Sequence, residues 1–246
     1  MKMRYLMLAL LLSIGSLPGQ SISAEEILNK VDANMISKSG KSTTRMVVHS
    51  RRASRTIESI NYSLGDSKFY SEYTSPPRDK GTKMLKLDSD LWIFDPNTDR
   101  TIQISGNMLK QSVMGSDLSY EDFMEEGSLT EDYSAKIIES ITHEGRACWV
   151  MELTALRDDV SYQKRRIYID KERFVSLYEE WFAKSGKLLK TVSASEVKRI
   201  SGRWYPTKIL FKDELKQGQG TEYYIDSIEF DITIPPHTFS KAMLKK

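Results

Sequence analysis

The sequence has one cysteine and three histidines, no excess of either charge, and no long apolar run beyond its first residues. A lone cysteine, Cys148, cannot close an internal disulfide. It also stands too far from the N-terminal region to serve as a lipid-attachment cysteine there. It sits in the apolar run ACWVMEL, which suits a buried, inert thiol better than a reactive one. His49, His143 and His237 are scattered, and no HxxH, HExxH or CxxC spacing occurs. That argues against a metal site built on histidine or cysteine, and no cofactor is expected. The glycines match no phosphate-cradling spacing and no G-x-S-x-G elbow.

The charge balance removes another class. The chain carries 36 basic and 34 acidic residues. Two of the basic ones, Lys2 and Arg4, precede an apolar run from Leu6 to Leu12 that ends in small residues at Ser23-Ala24. This is the pattern of a secretory signal peptide. The run is roughly ten residues, against the about 20 that a spanning helix needs. Cleavage is expected after Ala24, leaving 25–246 as one domain without a lipid anchor. That domain has 34 basic and 34 acidic residues. A net charge of zero gives no electrostatic footprint for nucleic acid.

Acidic groups recur at Asp88/Asp90, Asp117/Glu121/Asp122, Asp158/Asp159 and Glu179/Glu180. A glycosidase needs two carboxylates roughly 5–10 Å apart in a cleft. Each group here adjoins turn or helix-end signals, where solvated carboxylates are the default, so no catalytic residues are assigned and no enzyme is expected.

What is present is alternation. Residues 24–37 read as an amphipathic helix with Ile27, Leu28, Val31, Met35 and Ile36 on one face. Strand-like runs follow at 43–50, 56–64 and 68–75, two more within 83–95, and one at 101–105. Residues 107–126 then break the period of two and read as one or two short helices interrupted at Gly115. Strand-like runs resume at 135 and continue to 234, giving about eleven or twelve in all. Short links between consecutive strands imply one large antiparallel sheet that curls. The helix and the 107–126 insertion are the available covers.

The stretch 76–123 is the most telling. Leu91, Trp92, Ile93 and Phe94 make both faces of one strand apolar. Met84, Met108, Met114 and Met124 supply adaptable side chains of the kind found where varied apolar partners are accepted. An ordinary core and a ligand cavity explain these residues equally well.

The segments PPRDKGTKMLKL, LWIFDPNTDRTIQIS and QSVMGSDLSYEDF, following a signal peptide, a helix and three strands, resemble the LolA-like family of outer-membrane lipoprotein-sorting proteins. The branch signature MGSDxSYED lies at Met114 to Asp122. The resemblance spans about residues 25–240. It implies an α+β, mainly β fold: an unclosed antiparallel barrel of about eleven strands around a hydrophobic cavity covered by helices. It implies a periplasmic carrier that binds acyl chains of lipoproteins, phospholipids or other lipids and moves them toward the outer membrane. An inner-membrane exporter, of the resistance-nodulation-division (RND) type in some of this branch, and an outer-membrane acceptor would be its partners. The alternative is a lipid-sensing or envelope-interaction module on the same fold. The expected lipid site combines wall residues Leu85, Leu87, Trp92 and Phe94 with lid residues Met108, Met114, Leu118, Tyr120, Phe123 and Met124. In the lipoprotein carrier an early-strand arginine bonds to lid backbone. Arg45 lies in a comparable strand, but its motif departs from the family's, so that role is not assigned.

Overall fold

The computed structural model describes residues 22–49, 53–124 and 127–246. The signal-like residues 1–21 and the end of the expected insertion at 125–126 lie outside the described residues. A helix, α1 (Ala24–Met35), comes first. Ser23 caps it, its side chain accepting from the Glu26 N–H, and Glu25 and Glu26 complement the dipole of the first turn. Ile27, Leu28 and Val31 are buried, whereas Met35 is exposed.

Thirteen strands form one antiparallel sheet. They are β1 (Ser39–His49), β2 (Ser54–Leu64), β3 (Lys68–Ser75), β4 (Lys83–Leu87), β5 (Asp90–Asp95), β6 (Arg100–Ile104), β7 (Tyr133–His143), β8 (Arg146–Ala155), β9 (Lys164–Asp170), β10 (Ser176–Phe182), β11 (Leu188–Ile200), β12 (Arg203–Asp213) and β13 (Thr221–Phe230). The expected total was about eleven or twelve. Each run read from alternation is a strand here, so the difference lies in the total and not in the positions. Tight turns at Asp88 and Asp99, both at positive φ, fold short runs back as separate strands.

The order is β6-β5-β4-β3-β2-β1-β13-β12-β11-β10-β9-β8-β7. The chain therefore starts at the middle of the sheet and runs outward to the β6 edge. It then crosses to the β7 edge and returns inward until β13 pairs with β1. The sheet is not closed, since β6 and β7 are its two edges. The crossing segment must span the open side, and it becomes the lid. It contains 3-10 turns at Gly106–Lys110 and Val113–Gly115, then the short helices α2 (Tyr120–Met124) and α3 (Leu129–Asp132). The sequence reading gave one or two short helices interrupted at Gly115 over this stretch; Gly115 closes the second 3-10 turn. Gly115 itself has φ +72, a conformation that only glycine adopts cheaply.

The sheet is covered on both faces. On the inner face, α1 packs on β7, β8 and β9 through Ile27, Leu28, Val31, Met151, Leu153, Ile167 and Ile169. The lid packs on β1 to β6 through Val113, Leu118 and Phe123 against Met46, Ile57, Met84 and Leu91. On the outer face a cover absent from the sequence reading appears. The C-terminal turns Pro236–Phe239 and Lys241–Lys245 press Phe239 and Leu244 onto Tyr70, Leu85, Trp92 and Phe94. Cys148 is buried, and burial raises its thiol pKa, consistent with an inert side chain.

Candidate functional site

A cavity of about 370 Å³ lies between the sheet and its inner cover. Its floor comes from the middle of the sheet, β1, β2 and β10 to β13, and its sides from α1, β9, α2 and α3. Strand alternation accounts for the lining: Val192 and Ala194 on β11, Ile209 and Phe211 on β12, and Tyr223 and Ile225 on β13 stand two apart, so each pair shares a face. Leu118 and Phe123 reach in from the lid, and Met35 and Ile36 from the end of α1. The Phe123 ring lies 6.1 Å from that of Phe69 on β3.

The lid is fastened by polar contacts, and the MGSDxSYED segment supplies most of them. Asp117 Oδ1 accepts from the Asp213 backbone N–H at 3.0 Å, and its Oδ2 accepts from the Thr221 hydroxyl at 2.9 Å. Gly220 precedes Thr221 where the chain runs so close to β12 that a Cβ would stand 2.6 Å from the Phe211 carbonyl oxygen. Asp122 on α2 forms a buried ion pair with Lys190 of β11. Asp122 also accepts from the Ser119 N–H at 2.7 Å and from the Tyr162 hydroxyl at 2.6 Å. Burial, with Asp122 beside it, pushes the Tyr162 phenol far above its ordinary range, so it stays a neutral donor. Cations of the sheet and its loops also bond to lid carbonyls. Arg55 of β2 donates to Met114, Lys86 of β4 to Met124 at 3.0 Å, and Lys216 to Ser116 at 2.6 Å.

Asp117 and Asp122 correct the sequence reading, in which they were solvated. Both are buried, because their partners come from strands far along the chain. They are occupied as structural anchors. Arg45 plays no part in the lid, since it points outward and pairs with Asp226 at 2.8 Å. Opposite the lid, Arg165 is enclosed by the rings of Tyr133, Tyr162 and Trp181, at 4.9, 5.6 and 4.5 Å from their centroids. Among the described residues no cluster of three or more His, Cys, Asp or Glu could hold a metal ion. Nor is any described helix long and apolar enough to cross a membrane.

The ten residues expected to form the site divide into three groups. Leu118 and Phe123 line the cavity. Met108, Met114, Tyr120 and Met124 pack within the lid against the inner face of β1 to β6 and do not line the cavity. Leu85, Leu87, Trp92 and Phe94 belong to the opposite face, under the C-terminal turns. Their alternate neighbours Met84, Leu91 and Ile93 face inward. The strand is covered on both sides, as its composition implies, but its tryptophan is on the outside. The cavity wall lies instead on β10 to β13, whose alternation was visible but indistinguishable from that of an ordinary core.

A lid-covered, unclosed antiparallel sheet around an internal cavity is a fold already seen in solved structures. Three solved structures share it. An outer membrane lipoprotein-sorting protein domain from Vibrio parahaemolyticus superposes with a TM-score of 0.79 at 22% identity, covering 90% of this chain and 98% of that one. A DUF1329 family protein from Desulfovibrio piger gives 0.82 at 20% identity, with 89% and 97% covered. A LolA superfamily protein from Nitrosomonas europaea gives 0.77 at 24% identity, with 91% and 100% covered. No curated protein matches the sequence. The family model that matches residues 65–246 carries only the description "-like: Uncharacterized protein", and the chain belongs to that family.

Proposed function

We propose that this protein is a periplasmic carrier that takes a lipid chain into the cavity beneath its lid and releases it to an acceptor on the way to the outer membrane. The observation that carries this reading is the cavity itself: an internal space of about 370 Å³ between a mostly apolar sheet face and a lid fastened by breakable polar contacts. Burial of hydrocarbon is non-directional and contributes about 0.8 kcal/mol per CH₂, so a chain is held firmly without a specific headgroup. Release needs the lid to move, and the hydrogen bonds and ion pairs that fasten it are contacts that water can replace. Leu118 and Phe123 touch the chain directly. The carboxylates and cations at the lid interface are engaged in fastening the lid, so the reading is binding and not catalysis. Export by the N-terminal leader delivers the protein to the periplasm, where an inner-membrane exporter supplies the lipid.

Uptake of saturated fatty acids by delipidated protein tests this. Affinity rises roughly fourfold per added CH₂ until the cavity is full, then levels off. Ile225→Asp, in the cavity floor, lowers uptake at least tenfold, whereas Trp92→Leu, on the outer face, leaves it unchanged in folded protein. Absence of uptake by the unaltered protein, or equal loss in both variants, removes the assignment.

A further inference from the structure

The cavity has two unlike walls. One, from β10 to β13, is mainly apolar and aromatic, with Trp181, Val192, Ile209, Phe211 and Ile225, and carries Ser176 and Glu179 at its β10 side. The other, from β1 and β2, presents Ser42, Thr44, Asn61 and Ser63. This polar stripe continues under Phe123 into a recess of about 20 Å³ with Ser59, Ser71 and Tyr73 on its polar side and Met46, Ile57 and Met84 on its apolar side. The recess is large enough for one water or one ligand hydroxyl.

The stripe is ordered. Tyr223 donates to Thr44 at 3.2 Å, and Asn61 Nδ2 donates to Thr44 at 3.0 Å and to Ser42 at 3.3 Å. With two bonds accepted, Thr44 directs its own proton to Ser59 at 2.8 Å, and Ser59 donates to Asn61 Oδ1 at 3.1 Å. The arrangement fixes which groups remain. The Ser42 proton and the Ser63 hydroxyl face the cavity without a hydrogen-bond partner among the described residues. Ser71, only 2% exposed, lines the recess in the same condition. Plain hydrocarbon laid on this wall leaves these groups unpaired, which is unfavourable in a buried site. A ligand carrying oxygen satisfies them.

We propose that the ligand is a single-chain amphiphile that brings hydroxyl or ester groups into the cavity, along the stripe from Ser63 and Ser42 to the recess beside Ser71, with its hydrocarbon against β10 to β13. This rests on the reading of the cavity as a lipid site and narrows its substrate class. The volume supports one chain: an engineered cavity of about 150 Å³ takes one benzene, so about 370 Å³ holds one acyl chain rather than three.

Displacement of a bound fluorescent fatty acid from delipidated protein tests the proposal, with three competitors. These are 1-monododecanoylglycerol, pentadecane of similar length, and didodecanoyl phosphatidylglycerol vesicles. The monoacylglycerol competes about tenfold better than pentadecane, one hydrogen-bonding step's worth, and the two-chain lipid competes least. The double variant S42A/S63A, which also gives up the Asn61 bond to Ser42, lowers the monoacylglycerol preference several-fold and strengthens displacement by pentadecane, which no longer leaves hydroxyls unpaired. Equal competition by monoacylglycerol and pentadecane overturns the polar-wall proposal while leaving the carrier reading intact, and so does a double variant with unchanged preference. Competition by the two-chain lipid equal to that of the monoacylglycerol overturns the single-chain assignment. Failure of the fluorescent fatty acid to bind at all overturns the carrier reading, and this proposal with it.

Discussion

Strands β4 and β5 carry a cover on each side; both covers pack apolar residues on the sheet, and the inner one adds buried polar bonds. Inside, the crossover segment is pinned by ionic and backbone hydrogen bonds: Asp122 to Lys190, Lys86 to Met124, Arg55 to Met114. Outside, the C-terminal turns adhere through Phe239 and Leu244 packed on Tyr70, Leu85 and Phe94, with Lys241 3.9 Å above the Trp92 ring. Polar contacts are directional. They define one closed position and are lost together when the segment lifts. Apolar packing has no such register and weakens gradually as area is uncovered. A segment that must open and reclose over a ligand is better served by the first kind, and a permanent cover by the second.

Three substitutions sharpen this contrast, from the largest effect to the smallest. Lys190→Met leaves Asp122 buried without its counter-charge and lowers stability by about 3–5 kcal/mol. Denaturant unfolding measures the loss, and hydrogen exchange of the lid amides rises with it. A variant as stable as the original would show that the ion pair does not hold the lid. Leu244→Ala empties a fully buried site on the outer face and costs about 2–5 kcal/mol, with lid exchange unchanged relative to global unfolding. If lid exchange rises selectively, the two covers are coupled through the sheet. Lys241→Ala removes only the contact with Trp92, a loss of about 0.5–1 kcal/mol that thermal unfolding resolves as a small shift.

Much of this architecture is legible in the residues. Period-two patterning marks most strands, because one face of each buries more than the other, and the break in period after Ile104 marks the lid, whose buried Val113, Leu118 and Phe123 follow no two-residue spacing. The position of the cavity is not legible in the same way. A void is defined by what fails to fill it, and Ile209-x-Phe211 or Tyr223-x-Ile225 look the same whether a lid or a ligand lies above them. In β4 and β5 the parity is plain, but which parity faces inward is settled only by the C-terminal turns, whose sequence HTFSKAML has no period. The aspartates of the lid mislead for a related reason. They sit beside turns, yet Lys190 and Thr221, which bury them, stand 68 and 104 residues further on.

The seam between β1 and β13 has a consequence for how the molecule is assembled. Its partners, such as Gly40 with Phe230, come from opposite ends of the described chain. All other neighbouring strands are consecutive and can zip as hairpins while the chain emerges. The two arms of the sheet, β1 to β6 and β7 to β13, therefore meet last, after the whole polypeptide is available. Until that meeting the cavity floor does not exist, since β1 and β13 are its centre. A chain cut short before Thr221 would keep its hairpins and lose the one join that turns them into a container.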